Sequence, residues 1–311
     1  MKQNPRVLVA GSVNMDLFLN MRTMPRSGES VIARDYGFTP GGKGGNQAVS
    51  AALLGADTHF CGRIGEDGYG RLLEESLRRN GVTIDGLTRD ASEPTGLAAI
   101  LREEDGSNRI LVYPGANMRL TADRVILLMD QIRPDAFLLQ FEIPQQTVIC
   151  CCQAARQRNI PVVADAGPAQ PFPLEKIAGM LIFSPNETET ATLCGILPDT
   201  DARALQAAKA LMNRTQASFV IIKRGGKGAF VYDGDQLAVN LPAVPVQAVD
   251  TTAAGDAFMA AVTVAYWRTR DIIQAVRYAN AVGALTVSRP GTQVSLPTGA
   301  QADDLIARIG K

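Results

Sequence analysis

The constraint that most narrows the fold is an alternation: short apolar runs of strand length repeatedly give way to segments of helical periodicity. In the first half, strand-like residues 7–10 and 59–64 alternate with helical patterns over 46–54 and 70–79. In the second half, strand-like residues 136–140, 162–164, 180–183 and 219–222 are spaced by helical patterns over 145–156 and 202–212. Such alternation predicts βαβ units, hence an α/β fold: a doubly wound, mostly parallel sheet with helices on both faces. Ligand sites of such sheets lie at the carboxyl ends of the strands. Two stretches, roughly 17–38 and 96–113, break the rhythm and read as antiparallel strands, the second turning at Glu103-Glu104-Asp105-Gly106. Inserted between βα units, they predict a small β-sheet lid, drawn from about 14–40 and 96–113 of a single domain spanning 1–311.

With 31 basic and 31 acidic residues among 311, net charge offers nothing to a nucleic acid or an anionic membrane, so a small-molecule partner is expected. The N-terminal apolar run is too short for a signal or a membrane span, which predicts a cytoplasmic protein. Five cysteines, three of them consecutive at Cys150, Cys151 and Cys152, show no CxxC spacing and read as reduced, mostly buried thiols. The one histidine, His59, sits in a strand-like stretch, which excludes hydrolases that hold zinc through two histidines.

Chemistry concentrates in a few clusters. In Asp250-Thr251-Thr252-Ala253-Ala254-Gly255-Asp256, small residues open an apolar run whose only charge, from Ala253 to Trp267, is Asp256. A helix there would be buried nearly all round, with unpaired N–H groups and a positive dipole end suited to phosphate oxygens. Read alone, Asp256 also fits an ordinary first-turn acid, with Thr252 as the cap. Gly41-Gly42-Lys43-Gly44-Gly45-Asn46 opens another helix without Walker A spacing, and its backbone, ammonium and amide suit a polyhydroxylated ligand. Asn14 and Asp16 follow the first strand with no dinucleotide fingerprint, and an Asx-turn explains either alone. Asn186 and Glu189 fit a capping box as well as a ligand role. The loop Lys223-Arg224-Gly225-Gly226-Lys227-Gly228 fits a basic hairpin turn as well as a phosphate contact.

The 250–258 segment resembles the signature of the PfkB sugar kinases, the ribokinase-like family. The resemblance spans about residues 6–300, with the motifs in family order, and the GGKGxN and AAGD segments point to the ribokinase-like branch. It implies ATP-dependent phosphorylation of the primary hydroxyl of a sugar, D-ribose foremost, with Asp256 as general base and the N–H groups of Ala253, Ala254 and Gly255 as an anion hole. It assigns Asn14, Asp16, Gly42, Lys43, Asn46 and Glu142 to the sugar, and Asn186, Glu189, Lys223, Gly225, Gly228, Gly255 and Asn280 to ATP. Asn186 and Glu189 would also hold Mg²⁺ through water, and Asp250, Thr252, Thr286, Arg289, Gly291 and Ser295 would hold a monovalent cation, K⁺, through carbonyl and carboxylate oxygens. Thr or Ser is frequent where Lys223 stands, and alanine where Gly45 stands. Lid strands of two subunits pair in some relatives, so a homodimer is a further expectation. The alternatives are a kinase of the same fold acting on deoxyribose, a nucleoside or another sugar, and a sugar-binding regulator without catalysis.

Overall fold

The computed structural model describes residues 4–104 and 107–309. Asp105 and Gly106, at the tip of the expected turn, lie outside them. The chain runs through β1 (Arg6–Ala10), β2 (Asn14–Asn20), β3 (Asp35–Gly41), α1 (Lys43–Leu53), β4 (Asp57–Gly65), α2 (Gly68–Arg79) and β5 (Thr83–Asp90). Next come β6 (Gly96–Arg102), β7 (Asn108–Tyr113), α3 (Ala122–Ile132), β8 (Ala136–Leu139), α4 (Gln145–Gln157), β9 (Val162–Asp165), β10 (Ile182–Ser184) and α5 (Glu187–Cys194). It ends with α6 (Asp201–Thr215), β11 (Phe219–Lys223), β12 (Ala229–Tyr232), β13 (Ala238–Leu241), α7 (Ala254–Thr269), α8 (Ile272–Val287) and α9 (Gly299–Ile309).

Nine strands form the large sheet, in the order β13-β12-β11-β10-β9-β8-β1-β4-β5. All pairs are parallel except β11 with β12 and β12 with β13. Its central strands, β1 from Val7 onward and β8, are buried and apolar on both faces, as a sheet covered on both sides requires. Val7 and Val9 of β1 turn to a core shared with α1, α2, α7 and α8, whereas Leu8 and Ala10 turn to the core under α3, α4 and α6. Strand periodicity of two thus splits one strand between two cores. The order reverses beside β1, where β4 and β8 pair on opposite sides, and that is where a doubly wound sheet opens a crevice.

The small sheet has the order β3-β2-β6-β7. Its hairpin partners are antiparallel, as expected, but β2 and β6 join the two hairpins in parallel. The expected span 17–38 needs correction. β2 begins at Asn14 and β3 ends at Gly41, while residues 21–34 between them form no strand. Asn14 and Asp16 therefore stand in a strand rather than in an Asx-turn, on the face shared by alternate residues. Helix α1 also starts earlier than the expected residue 46, because Gly44 and Gly45 sit in its first turn. A β-carbon on Gly44 would lie 2.7 Å from the backbone of Gly11, so this glycine serves close packing of helix on strand.

Candidate active site

The carboxyl ends of β1, β8, β9, β10 and β11 meet the N-termini of α1, α5 and α7. Helix α7 has no side-chain cap, and its N-cap is Ala253, held in the left-handed region at φ 61°. Thr252 is not the cap, since its hydroxyl donates to Asp250 Oδ1 at 2.6 Å. Of the three N–H groups expected to form an anion hole, that of Ala254 makes a long bond to the Thr251 carbonyl at 3.3 Å. Those of Ala253 and Gly255 have no acceptor among the described residues, and the same holds for Asp256.

Asp256 is buried in the first turn of α7 and accepts from Asn46 Nδ2 at 2.9 Å and Gln47 Nε2 at 3.5 Å. Lys43 Nζ stands 3.8 Å from its Oδ1. Burial pushes the Asp256 carboxyl up to about 6, against the pull of Lys43. Burial also works against the Lys43 ammonium, but the surrounding carboxylates, Asp256 foremost, outweigh it and keep Lys43 charged. Gly42, the N-cap of α1, has φ +81°, and a β-carbon on it would lie 2.6 Å from the Asn14 nitrogen. Asn14 Oδ1 accepts from Asn117 Nδ2 at 2.7 Å, and Glu142 Oε2 accepts from Ser12 Oγ at 2.5 Å. Asp16 is buried with no hydrogen-bond partner among the described residues, and burial, with Glu142 and Asp256 nearby, pushes its carboxyl up to about 8. Thus Asn14, Asp16, Gly42, Lys43, Asn46, Glu142 and Asp256 come together, as expected.

A cleft of about 720 Å³ runs from Lys43 and Asp256 past Asn186, Glu189, Lys223, Gly225, Gly228 and Gly255 to Asn280. Asn186 caps α5 in a full capping box with Glu189: Asn186 Oδ1 accepts from the Glu189 N–H at 2.8 Å, and Glu189 Oε2 from the Asn186 N–H at 2.7 Å. The structural reading of this pair holds, yet both residues also line the cleft. Burial raises the Glu189 carboxyl, opposed by Lys223. Gly228 has φ +91° and packs against the Leu241 carbonyl, so no side chain fits there. Asn280 Nδ2 is tied to the carbonyls of Leu241 and Pro242 at 3.1 and 3.0 Å. Lys223 forms an ion pair with Asp165, which is fully buried at the end of β9.

Asp165 was missed by the sequence reading, although a carboxylate closing an apolar strand was a usable signal. Gln47 was missed too, and it bridges Asp165 Oδ2, at 3.0 Å, to Asp256.

The residues expected around a monovalent cation are only partly free to hold one. Asp250 Oδ1 accepts from the N–H and hydroxyl of Thr252, at 3.0 and 2.6 Å. Oδ2 accepts from the Gly291 N–H at 3.0 Å and from Arg102 Nη2 at 2.7 Å. A carboxylate offers about four acceptor positions, and here all four are used. Burial opposes ionisation of Asp250, but these bonds and the Arg102 charge hold its carboxyl below the usual range. Thr286 Oγ1 bonds the Val282 carbonyl, Ser295 Oγ the Thr292 carbonyl, and Arg289 the Gln301 side chain. The Asp250 carboxylate therefore has no acceptor position left for an ion.

Residues 4–299 match the family of pfkB carbohydrate kinases. The ribokinase of Bacillus subtilis is 35% identical over 302 residues, covering 97% of this chain and 99% of the relative. The deoxyribokinase of Salmonella typhi is 30% identical over 303 residues, covering 97% and 98%. The solved structure of Arabidopsis thaliana ribokinase complexed with ribose and ATP superposes with a TM-score of 0.88 at 32% identity, over 98% of this chain and 99% of that one. The chain belongs to the pfkB family of carbohydrate kinases.

Proposed function

We propose that this pfkB carbohydrate kinase transfers the γ-phosphoryl group of ATP to the primary hydroxyl of a pentose, D-ribose to ribose 5-phosphate, with Asp256 as general base. The observation that carries the reading is a buried carboxylate at the uncapped N-terminus of α7, where an alcohol and a terminal phosphate can meet. The sugar lies among Asn14, Asp16, Gly42, Lys43, Asn46 and Glu142. Asp16, unpartnered in the free protein, takes sugar hydroxyls as its partners. ATP lies along the cleft toward Asn280, over Gly225 and Gly228, with Lys223 near its phosphates. Asp256 accepts the hydroxyl proton as the oxygen attacks the γ-phosphorus in line. A loose phosphoryl transition state asks for positioning and charge stabilisation more than a strong base, so a carboxyl near 6 suffices at neutral pH. The free N–H groups of Ala253 and Gly255 stabilise the equatorial oxygens, and the Ala254 N–H joins them by giving up its long bond.

The capping box leaves Glu189 Oε1 unspent as an acceptor at the cleft, which suits Mg²⁺ held through water, and Asn186 Nδ2 free to donate to a phosphate oxygen. Such an ion would neutralise phosphate charge. The small sheet acts as a lid that keeps water from the acceptor site. Its exposed Tyr36, Phe38, Ile110, Leu111 and Val112, and the unpaired edges of β3 and β7, suit a second copy of the chain. No helix of the described residues is long and apolar enough to cross a membrane, and dependence on ATP goes with a cytoplasmic location.

Deoxyribose is the second reading, favoured by the similarity to a deoxyribokinase. ADP release across pentoses, deoxyribose and nucleosides ranks these substrates, and no turnover on any of them would leave only a binding protein. Replacing Asp256 with Asn lowers kcat by about three decades, the scale of a lost catalytic proton acceptor, with ATP affinity little changed. Retained turnover would remove Asp256 from the mechanism.

A further inference from the structure

We propose that the Arg102 guanidinium is a built-in cation of this site, holding the Asp250–Thr252 turn ahead of α7 in place of a monovalent ion, so that turnover needs no such ion. The proposal rests on the kinase reading and concerns what orders its anion site.

Arg102 closes β6 in the small sheet, and its carbonyl accepts from the Met21 N–H at 2.9 Å. The guanidinium carbon lies 4.0 Å from the centre of the Phe18 ring, and Nη2 reaches Asp250 Oδ2 at 2.7 Å and Thr252 Oγ1 at 3.4 Å. The group is thus held from two sides, by an aromatic face and by a carboxylate. Asp250 is largely buried, so this pair is screened less than a surface pair. A diffusible ion using the Asp250 carboxylate would have to displace this guanidinium and shed its own water.

The position explains why a positive charge belongs there. The 250–252 turn leads directly into Ala253, and α7 has no side-chain cap to fix its first turn. What fixes it is Asp250, which binds the Thr252 N–H on one oxygen and the Gly291 N–H on the other. An unneutralised Asp250 would set a negative charge beneath a site that must receive phosphate, and Arg102 cancels it. The Val287 carbonyl, facing the same turn, is also engaged, by the N–H groups of Val249 and Asp250 at 2.7 and 3.1 Å.

The test compares the wild-type protein with Arg102→Leu, which keeps an apolar stem against Phe18. Both are exchanged into tetramethylammonium buffer with Mg²⁺ and the Tris salt of ATP, then given KCl or tetramethylammonium chloride at equal ionic strength. Two quantities are read: kcat/KM for ribose, and Tm without substrate. K⁺ should change wild-type turnover by less than about twofold, while the variant loses about tenfold or more without K⁺ and regains most of it with K⁺. K⁺ should raise Tm in the variant alone. A tenfold stimulation of the wild type by K⁺, or a variant indifferent to K⁺ in both readouts, overturns the proposal. If no pentose is phosphorylated, the kinase reading fails while the Tm comparison still decides this one. If Arg102→Leu does not fold, the wild-type response to K⁺ decides alone.

Discussion

Replacing Lys43 with Met should move the acid limb of the pH profile upward, by an amount that follows from the site geometry. As the proposed general base, Asp256 must be ionised to accept a proton, and its carboxyl is held at about 6. Turnover is therefore lost as pH falls through about 6, tenfold per unit below it. Lys43 Nζ lies 3.8 Å from Asp256 Oδ1. A unit-charge pair at that distance gains about 1 kcal/mol in water and about 4 kcal/mol at the effective dielectric of a protein site. The ammonium is partly exposed, 27% against 7% for the carboxylate, so a value of about 1.4 to 3 kcal/mol applies, or about one to two pH units. The limb should move to between about 7 and 8, and the ratio of kcat/KM at pH 8.5 to that at pH 6.5 should rise by about threefold to twentyfold. Measuring kcat/KM for ribose at saturating Mg-ATP keeps the nucleotide charge common to both proteins. The absolute rate should fall as well, because the proposed sugar site includes Lys43, but only the limb position carries the test. A limb at the same pH in both proteins, or at a lower pH in the variant, would refute the reasoning that Lys43 is what keeps Asp256 ionised.

Asp16→Asn removes a buried carboxyl held at about 8 against an ordinary 3.8. A raised folded-state value means that wild-type stability is fully present below about 4, is lost up to about pH 8 by at most about 1.4 kcal/mol per unit, and levels off above. Urea unfolding at pH 5 and pH 8 should therefore show the variant gaining on the wild type as pH rises, with a higher KM for ribose; parallel stability curves would contradict the burial argument. The Asp165–Lys223 pair should behave as one unit. Either Asp165→Asn or Lys223→Thr alone destabilises by about 2–4 kcal/mol by stranding a buried partner, and the double variant costs less than the sum. Additive losses in a urea cycle would show that the two groups are independent.

What the sequence made legible is what local pattern encodes. Alternating strand and helix lengths located most of the large sheet, and small residues before a long apolar run located α7 and Asp256. Strand β5 and helix α3 carried no such signal, because β5, Thr-Ile-Asp-Gly-Leu-Thr-Arg-Asp, mixes charges into a strand at the edge of the sheet. Tertiary pairing was the least legible. Arg102 and Asp250 are 148 positions apart, and Lys223 and Asp165 are 58 apart. In neither case does spacing along the chain indicate that the two charges meet. The Asn186–Glu189 box shows the opposite limit: spacing alone fits both a cap and a ligand site, and the folded chain builds the cap on the wall of the cleft.

The uncapped start of α7 ties these observations together. A Ser, Thr, Asn or Asp at the N-cap would stabilise the helix by about 1 kcal/mol, and the left-handed Ala253 found there costs about 1–2 kcal/mol. Thr252, the nearest candidate, turns its hydroxyl to Asp250 instead. A side-chain cap would occupy the N–H groups of the first turn, and these are what the proposed phosphate site needs. The same unspent capacity recurs close by: the buried Asp16 carboxyl has no hydrogen-bond partner among the described residues, and Asn46 Oδ1 is buried without one. Each costs stability in the free protein, and all lie around Asp256. Groups left unsatisfied in one place are best understood as waiting for the same pair of ligands, so the local rules that fail around α7 mark the site as clearly as the motifs do.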